Sequence, residues 1–233
     1  MHTRKTAILA LGFLTLLSGL VAPAWPLSIS DLSNKDAVAG LKAALEKGTQ
    51  EAVKRLGAEN GFFGNDKLRI PLPESLQRVE GVLRSVGMGK QADELVLRMN
   101  RAAEAAVPEA RAMFVNAVKQ MSVEDAKGIL TGGNDAATQY FKRTTSTPLA
   151  GKFQPIVKKA MEKVKLAEAY DRYAGQGAKL GLVKAEDANL ENYITRRALD
   201  GLFTVVAEEE AKIRANPVQE GSAIIKKVFG LLK

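Results

Sequence analysis

The chain has no cysteine and a single histidine, His2, among its 233 residues. Without cysteine there is no disulfide, no thiol nucleophile and no lipobox thiol for a lipid anchor. His2 lies inside an amino-terminal segment that reads as a leader, so the rest of the chain has no imidazole either. That excludes Ser-His-Asp and Cys-His arrangements and every zinc site built on His or Cys. No P-loop, dinucleotide-binding glycine fingerprint or EF-hand is present, and there is no internal repeat or low-complexity tract. The chain implies no cofactor. Any chemistry would run on carboxylates, tyrosines, lysines and arginines; a carboxylate pair can cleave glycosides, which keeps a carboxylate-dependent hydrolase as one alternative. Oxygen-ligated calcium is the metal left open, since carboxylates are plentiful.

What is present begins with compartment. Arg4 and Lys5 form a short positive start, Thr6 to Leu20 is apolar and uncharged, and Val21-Ala22-Pro23-Ala24 offers small residues at a cleavage site before Trp25. That order of parts predicts a secretory signal peptide over residues 1–24. The apolar stretch is shorter than the roughly 20 residues a spanning helix needs, and Pro23 and Pro26 end it. Residues 25–233 are then a single all-helical domain, exported to the periplasm and long enough to bury a core without disulfides. Loss of Arg4 and Lys5 takes the formal charge from +8 to +6. A mild positive excess either suits an anionic membrane surface or an envelope protein as partner, or is ordinary solubility charge. The scattered placement of the basic residues, in an exported chain, argues against nucleic acid.

The mature region reads as a succession of helices, which predicts an all-α, single-domain multi-helix bundle with no significant β-sheet. Ser33-Asn34-Lys35-Asp36 resembles a capping box, and Val38, Leu41, Leu45, Ala52 and Leu56 come after it at helical spacing to a stop at Gly57. Residues 61–73 are too rich in glycine and proline for a helix. Pro73 begins a helix that runs to about Val86 and stops at Gly87-Met88-Gly89, and a third spans about Lys90 to Ala106. Pro108 restarts or kinks it, with Ala110, Phe114, Ala117 and Met121 on the core face. Ser122-Val123-Glu124-Asp125 caps a short helix ending at Thr131-Gly132-Gly133, and Asn134 opens the next, through Tyr140 and Phe141. Pro148 and Pro155 predict breaks before a basic helix over Ile156 to Lys165. Ala167 to Ala174 is helical, and Gly175, Gly177 and Gly181 loosen the chain beyond it. Asp187 caps Ala188 to Ala215, supported by Arg196 with Asp200 and Glu208 with Lys212 one turn apart. Asn216-Pro217 starts a terminal amphipathic helix with Val218, Ile225, Val228 and Leu232 on one side.

Four polar or aromatic features are candidates for function. The turn Gly132-Gly133-Asn134-Asp135 feeds a helix N-terminus whose free N–H groups suit a phosphate or carboxylate; the plainer reading has Asn134 as N-cap and Asp135 as the local negative charge. Asn100 and Glu104 sit one turn apart among alanines that let another helix approach closely. They form either a satisfied helix–helix contact or, with Thr138, Tyr140 and Arg143, a polar interior site in which Arg143 partners Glu104. Gly61-Phe62-Phe63-Gly64 either plugs the core or forms an exposed apolar tip. The terminal helix, with Lys226, Lys227 and Lys233 opposite its apolar side, either packs on the bundle or lies on an anionic membrane.

The segments Arg69-Ile70-Pro71-Leu72-Pro73-Glu74-Ser75-Leu76, Met99 to Ala110, Ile129 to Phe141 and Lys152-Phe153-Gln154-Pro155-Ile156 together resemble an uncharacterised bacterial family, the domain of unknown function 4197. The resemblance runs from about Leu32 to Gly230. It implies a periplasmic address in Gram-negative bacteria and carries no activity, cofactor or catalytic residue. The functional expectation is a non-enzymatic binding or envelope-associated protein, with a carrier of a lipid or other apolar ligand in an interhelical cavity as a further alternative.

Overall fold

The computed structural model describes residues 34–87, 89–179, 190–217 and 223–229, and every regular element among them is helical. The α-helices are α1 (Asn34–Gly57), α2 (Glu74–Ser85), α3 (Gly89–Ala106), α4 (Ala110–Gln120), α5 (Val123–Thr131), α6 (Ala136–Lys163), α7 (Leu166–Lys179), α8 (Leu190–Ala215) and α9 (Ala223–Phe229), with a 3₁₀ turn at Val107–Glu109. The protein is all-α.

Long helices make the centre. α8 packs between α1 and α6, α6 also packs on α3 and α4, α7 covers α3, and α9 covers α1. An aromatic seam joins three of them: Phe114 of α4 meets Phe141 of α6 edge-on at 5.3 Å and Phe203 of α8 at 6.1 Å. Such edge-to-face pairs add to the gain from area burial alone.

Several helix starts obey the local chemistry. α2 begins directly after Pro73. At α5 the capping box forms, Ser122 Oγ accepting from Asp125 N at 3.0 Å and Asp125 Oδ2 accepting from Ser122 N at 3.3 Å. Asn134, by contrast, does not open α6: Asp135 is the residue before its first turn, and its side chain makes no capping bond. The expected starts at Ser33 and Asp187, the glycine at 181, Met88, and the apolar positions Val218 and Leu232 lie outside the described residues, as does the expected leader.

α6 corrects a second expectation, because it runs unbroken through both Pro148 and Pro155. Each proline removes one intrahelical bond and costs on the order of 3 kcal/mol in an isolated helix. Burial of Tyr140, Phe141, Leu149, Phe153 and Val157 against α3, α4 and α8 holds this helix together instead. Gly175 and Gly177 likewise lie within α7. The surface pairs on α8 are also rearranged. Glu208 pairs with Arg55 of α1 at 2.7 Å, Lys212 pairs with Glu209 at 2.6 Å, and Arg196 forms no ion pair with Asp200 among the described residues.

Two ambiguous features resolve toward packing. Phe62 is fully buried against α8, where a methyl group on Gly201 would lie 2.6 Å from its ring, so the glycine is what admits the phenyl. Phe63 is partly buried beneath Arg69, whose guanidinium sits 4.4 Å from the ring centre. α9 turns Ile225 and Val228 into the core against α1.

Candidate functional site

Most buried polar side chains among the described residues hold the chain together, while two buried atoms, Gln91 Oε1 and the Thr195 hydroxyl, have no hydrogen-bond partner. Asn100, fully buried on α3, is a clamp for the irregular segment 61–73. Its Oδ1 accepts from Ile70 N at 2.8 Å, and its Nδ2 donates to Ile70 O at 2.9 Å and to Val96 O at 2.8 Å. One turn on, Glu104 Oε1 accepts from the backbone N–H groups of Phe62 and Phe63 at 3.1 and 3.0 Å, while Oε2 meets Arg101 at 2.6 Å. Arg101 also reaches Glu59 and Asn60. A helix face of alanines therefore carries two side chains that stand in for the secondary structure this segment lacks. Unpaired backbone groups at this depth would be costly.

A second clamp sits at the glycine turn between α5 and α6, and its key residue had no place in the sequence expectations. Glu210 of α8, nearly fully buried, accepts from Ala137 N and Thr138 N, each at 2.9 Å, and from the Thr138 hydroxyl at 2.9 Å. The anion at the α6 N-terminus is thus the protein's own carboxylate, where free N–H groups and the helix dipole favour negative charge. Arg214, one turn along α8, bonds Glu210 Oε1 at 2.9 Å and the Ile129 carbonyl near the end of α5 at 2.8 Å. One ion pair thereby caps both helices flanking the turn. Gly132 is needed there, because a methyl group would come within 2.7 Å of the Gly128 carbonyl oxygen. Glu210 was legible in principle: it falls in phase with Val206 and Ile213 on the apolar stripe of α8, where a carboxylate needs a partner.

The remaining expected site residues scatter. Arg143 is exposed and faces Asp125 at 3.6 Å, not Glu104. Asn134 and Asp135 are exposed, and Asp135 accepts from Gln139 Nε2 at 2.9 Å. Tyr140 is buried, donating to Ala117 O at 3.3 Å. Burial first, and then the Asp125 charge, push its phenol above the usual range, against the opposing pull of Arg143. Tyr140 joins Asp125, Lys152, Thr144 and Pro148 in an open-sided groove of about 450 Å³ along α6, against α4.

On the opposite side of α6, facing α8, lies a second groove of about 480 Å³. Lys142, Ser146 and Ala150 are spaced one turn apart along its α6 wall, and Thr195, Arg196, Leu199, Asp200 and Phe203 make the α8 wall. One end is closed by the Gln154–Asn192 hydrogen bond at 2.9 Å, the other by Lys142 above the Phe203 ring at 5.9 Å. Small side chains on α6 leave the trough empty; a Cβ at Gly151 would meet no atom within 4 Å. Thr195 is buried and its hydroxyl has no hydrogen-bond partner. Among the described residues, no group of three or more His, Asp or Glu is placed to hold a metal ion, and no helix is long and apolar enough to cross a membrane.

A family model described as Protein of unknown function (DUF4197) matches residues 31–230. The chain belongs to this family. The family match covers both clamps, both α6 grooves and the segment 61–73. No curated protein and no solved structure matches the chain.

Proposed function

We propose that this DUF4197 protein is an exported, single-domain binding protein of the bacterial periplasm. In this reading cleavage occurs after Ala24, residues 25–233 form the working domain, and the grooves beside α6 are its ligand-facing surface. The leader pattern of residues 1–24 supports export, and the family match begins downstream of it, at residue 31.

The observation that carries a non-catalytic role is how the carboxylates are used. Glu104 and Glu210, the deeply buried ones, are each engaged by two backbone N–H groups and an arginine. The grooves offer one described carboxylate apiece, Asp125 in one and Asp200 in the other. Hydrolysis by a carboxylate pair needs two such groups facing across one cleft, about 5–10 Å apart. A groove of this size, part apolar with a few polar groups, is the usual form of a small-ligand site.

Native mass spectrometry of the protein purified from periplasmic extract tests the reading. The expected mass is that of a chain starting at Trp25, with a fraction carrying a bound small molecule. Recovery only in the integral membrane fraction, an intact Met1, or turnover of a glycoside panel that ends when Asp125 or Asp200 is changed to Asn would overturn it.

A further inference from the structure

Threonines within helices commonly return their hydroxyl to the carbonyl one turn back. Thr49, Thr131, Thr144, Thr145 and Thr204 all do so, at 2.5 to 2.9 Å. Thr195 does not, although it is only 6% exposed and lines the α6–α8 groove. A buried hydroxyl without a partner is costly, because it gives up its water and gains nothing in return. Its neighbour in sequence, Arg196, is exposed on the same groove and has no ion-pair partner among the described residues. The groove therefore presents a donor and a cation side by side that the fold itself leaves unused.

Resting on the binding role proposed above, we infer that the α6–α8 groove takes a small organic monocarboxylate with an apolar body. Arg196 matches a carboxylate in shape and charge, its planar guanidinium offering paired donors. The Thr195 hydroxyl donates to the same group. Leu199, Phe203 and Ala150 provide the apolar bed for the body, and Lys142, already seated over Phe203, adds positive potential at the far end. Asp200, one turn beyond Arg196, disfavours a second negative group, so a dianion such as phosphate fits poorly. The volume of about 480 Å³ admits a chain of several carbons and falls within the usual range for small-ligand sites.

The test titrates the purified, full-length folded domain with sodium octanoate, read by amide NMR shifts. Acetate, octylamine, octanol and inorganic phosphate serve as comparisons. Octanoate saturates, with shifts concentrated at Gly151, Thr195, Arg196 and Leu199. Acetate, octanol and octylamine bind at least about tenfold more weakly, and phosphate does not compete. Thr195→Val and Arg196→Gln, which leave the fold intact, each weaken octanoate about tenfold or more. Gly151→Phe fills the open trough and removes binding without lowering the melting temperature.

Octylamine binding as well as octanoate, octanoate shifts that map elsewhere, or full affinity in both Thr195→Val and Arg196→Gln would overturn the assignment. If octanoate fails to bind while Gly151→Phe strips a molecule that co-purifies with the wild type, the groove remains the binding site and the carboxylate class is wrong. If Gly151→Phe changes neither octanoate binding nor any co-purified molecule, the α6–α8 groove is not a binding site and the assignment falls, while the broader binding reading rests on the groove against α4 alone.

Discussion

The side-chain amide of Asn100 makes both backbone hydrogen bonds of Ile70, accepting from its N–H at 2.8 Å and donating to its carbonyl at 2.9 Å. An amide carries an acceptor and a donor on separate atoms, so it can do both at once at any ordinary pH. Replacing it with Leu, which keeps the volume, orphans two buried backbone groups and should cost about 2–4 kcal/mol in chemical denaturation. Asn100→Asp should be worse at neutral pH, because a carboxylate then faces the Ile70 and Val96 carbonyls, and should recover as acid protonates it into a donor. A stability loss below about 0.5 kcal/mol for Asn100→Leu would mean segment 61–73 is held by Ile70 and Leu72 burial alone.

Glu104 gives a related prediction with a different partner. Its removal strands the Phe62 and Phe63 N–H groups, each bonded to a charged acceptor, so Glu104→Ala should lose roughly 3–5 kcal/mol. Arg101→Met should lose less, since its guanidinium is partly solvated and shares three acceptors. Arg143→Met should lose almost nothing at this site. The double-mutant cycle of Glu104 with Arg101 should show coupling, and the cycle with Arg143 none.

How far these features are legible in the sequence depends on range. Local signals carry well: the Ser122–Asp125 box, the proline before α2 and the apolar spacing of α3 all appear where the residues place them. Asn100 and Glu104 stand out because they interrupt an alanine face. Their partners do not, because they are backbone groups of residues 61–70, brought in from 30 to 42 positions away in a segment with no periodicity. The expected pairing of Arg143 with Glu104 passed over Arg101, a single turn distant. α6 misled for the opposite reason: proline is a strong local signal, and burial on several sides outweighed it. Glu210 hides in the acidic run Glu208-Glu209-Glu210, and only its phase on α8 sets it apart.

Tyr173 contributes to the expected fall of stability at alkaline pH. It is fully buried on α7, donates to Leu76 O at 3.0 Å, and burial pushes its phenol up to about 12. The unfolded phenol ionises near 10, so the folded state binds this proton more tightly. Its contribution is therefore complete below pH 10 and is lost as pH rises from 10 through 12, by on the order of 2 kcal/mol. Tyr173→Phe should flatten that part of the alkaline profile while leaving only a small loss at neutral pH. An unchanged profile in the variant would assign the alkaline transition to another group.

Glu210 and Arg214 make the strongest structural prediction, because one pair serves two helix ends. Glu210→Gln keeps an acceptor for one of the Ala137 and Thr138 N–H groups, turns an NH2 toward the other, and removes the charge that faces both the α6 dipole and Arg214. A loss of about 2 kcal/mol is expected. Glu210→Ala orphans the amides and leaves Arg214, with a side chain only 12% exposed, without its carboxylate, so about 3–5 kcal/mol should go. Arg214→Met releases the Ile129 carbonyl and should cost less than Glu210→Ala, and the two changes should couple by roughly 1 kcal/mol or more. Amide hydrogen exchange separates this local role from a general loss of packing. In Glu210→Gln, protection should fall first at Ala137 and Thr138, with Asn100 and its neighbours on α3 unaffected. Uniform loss of protection across α3 and α6 would mean that Glu210 stabilises the bundle as a whole and not the α5–α6 turn.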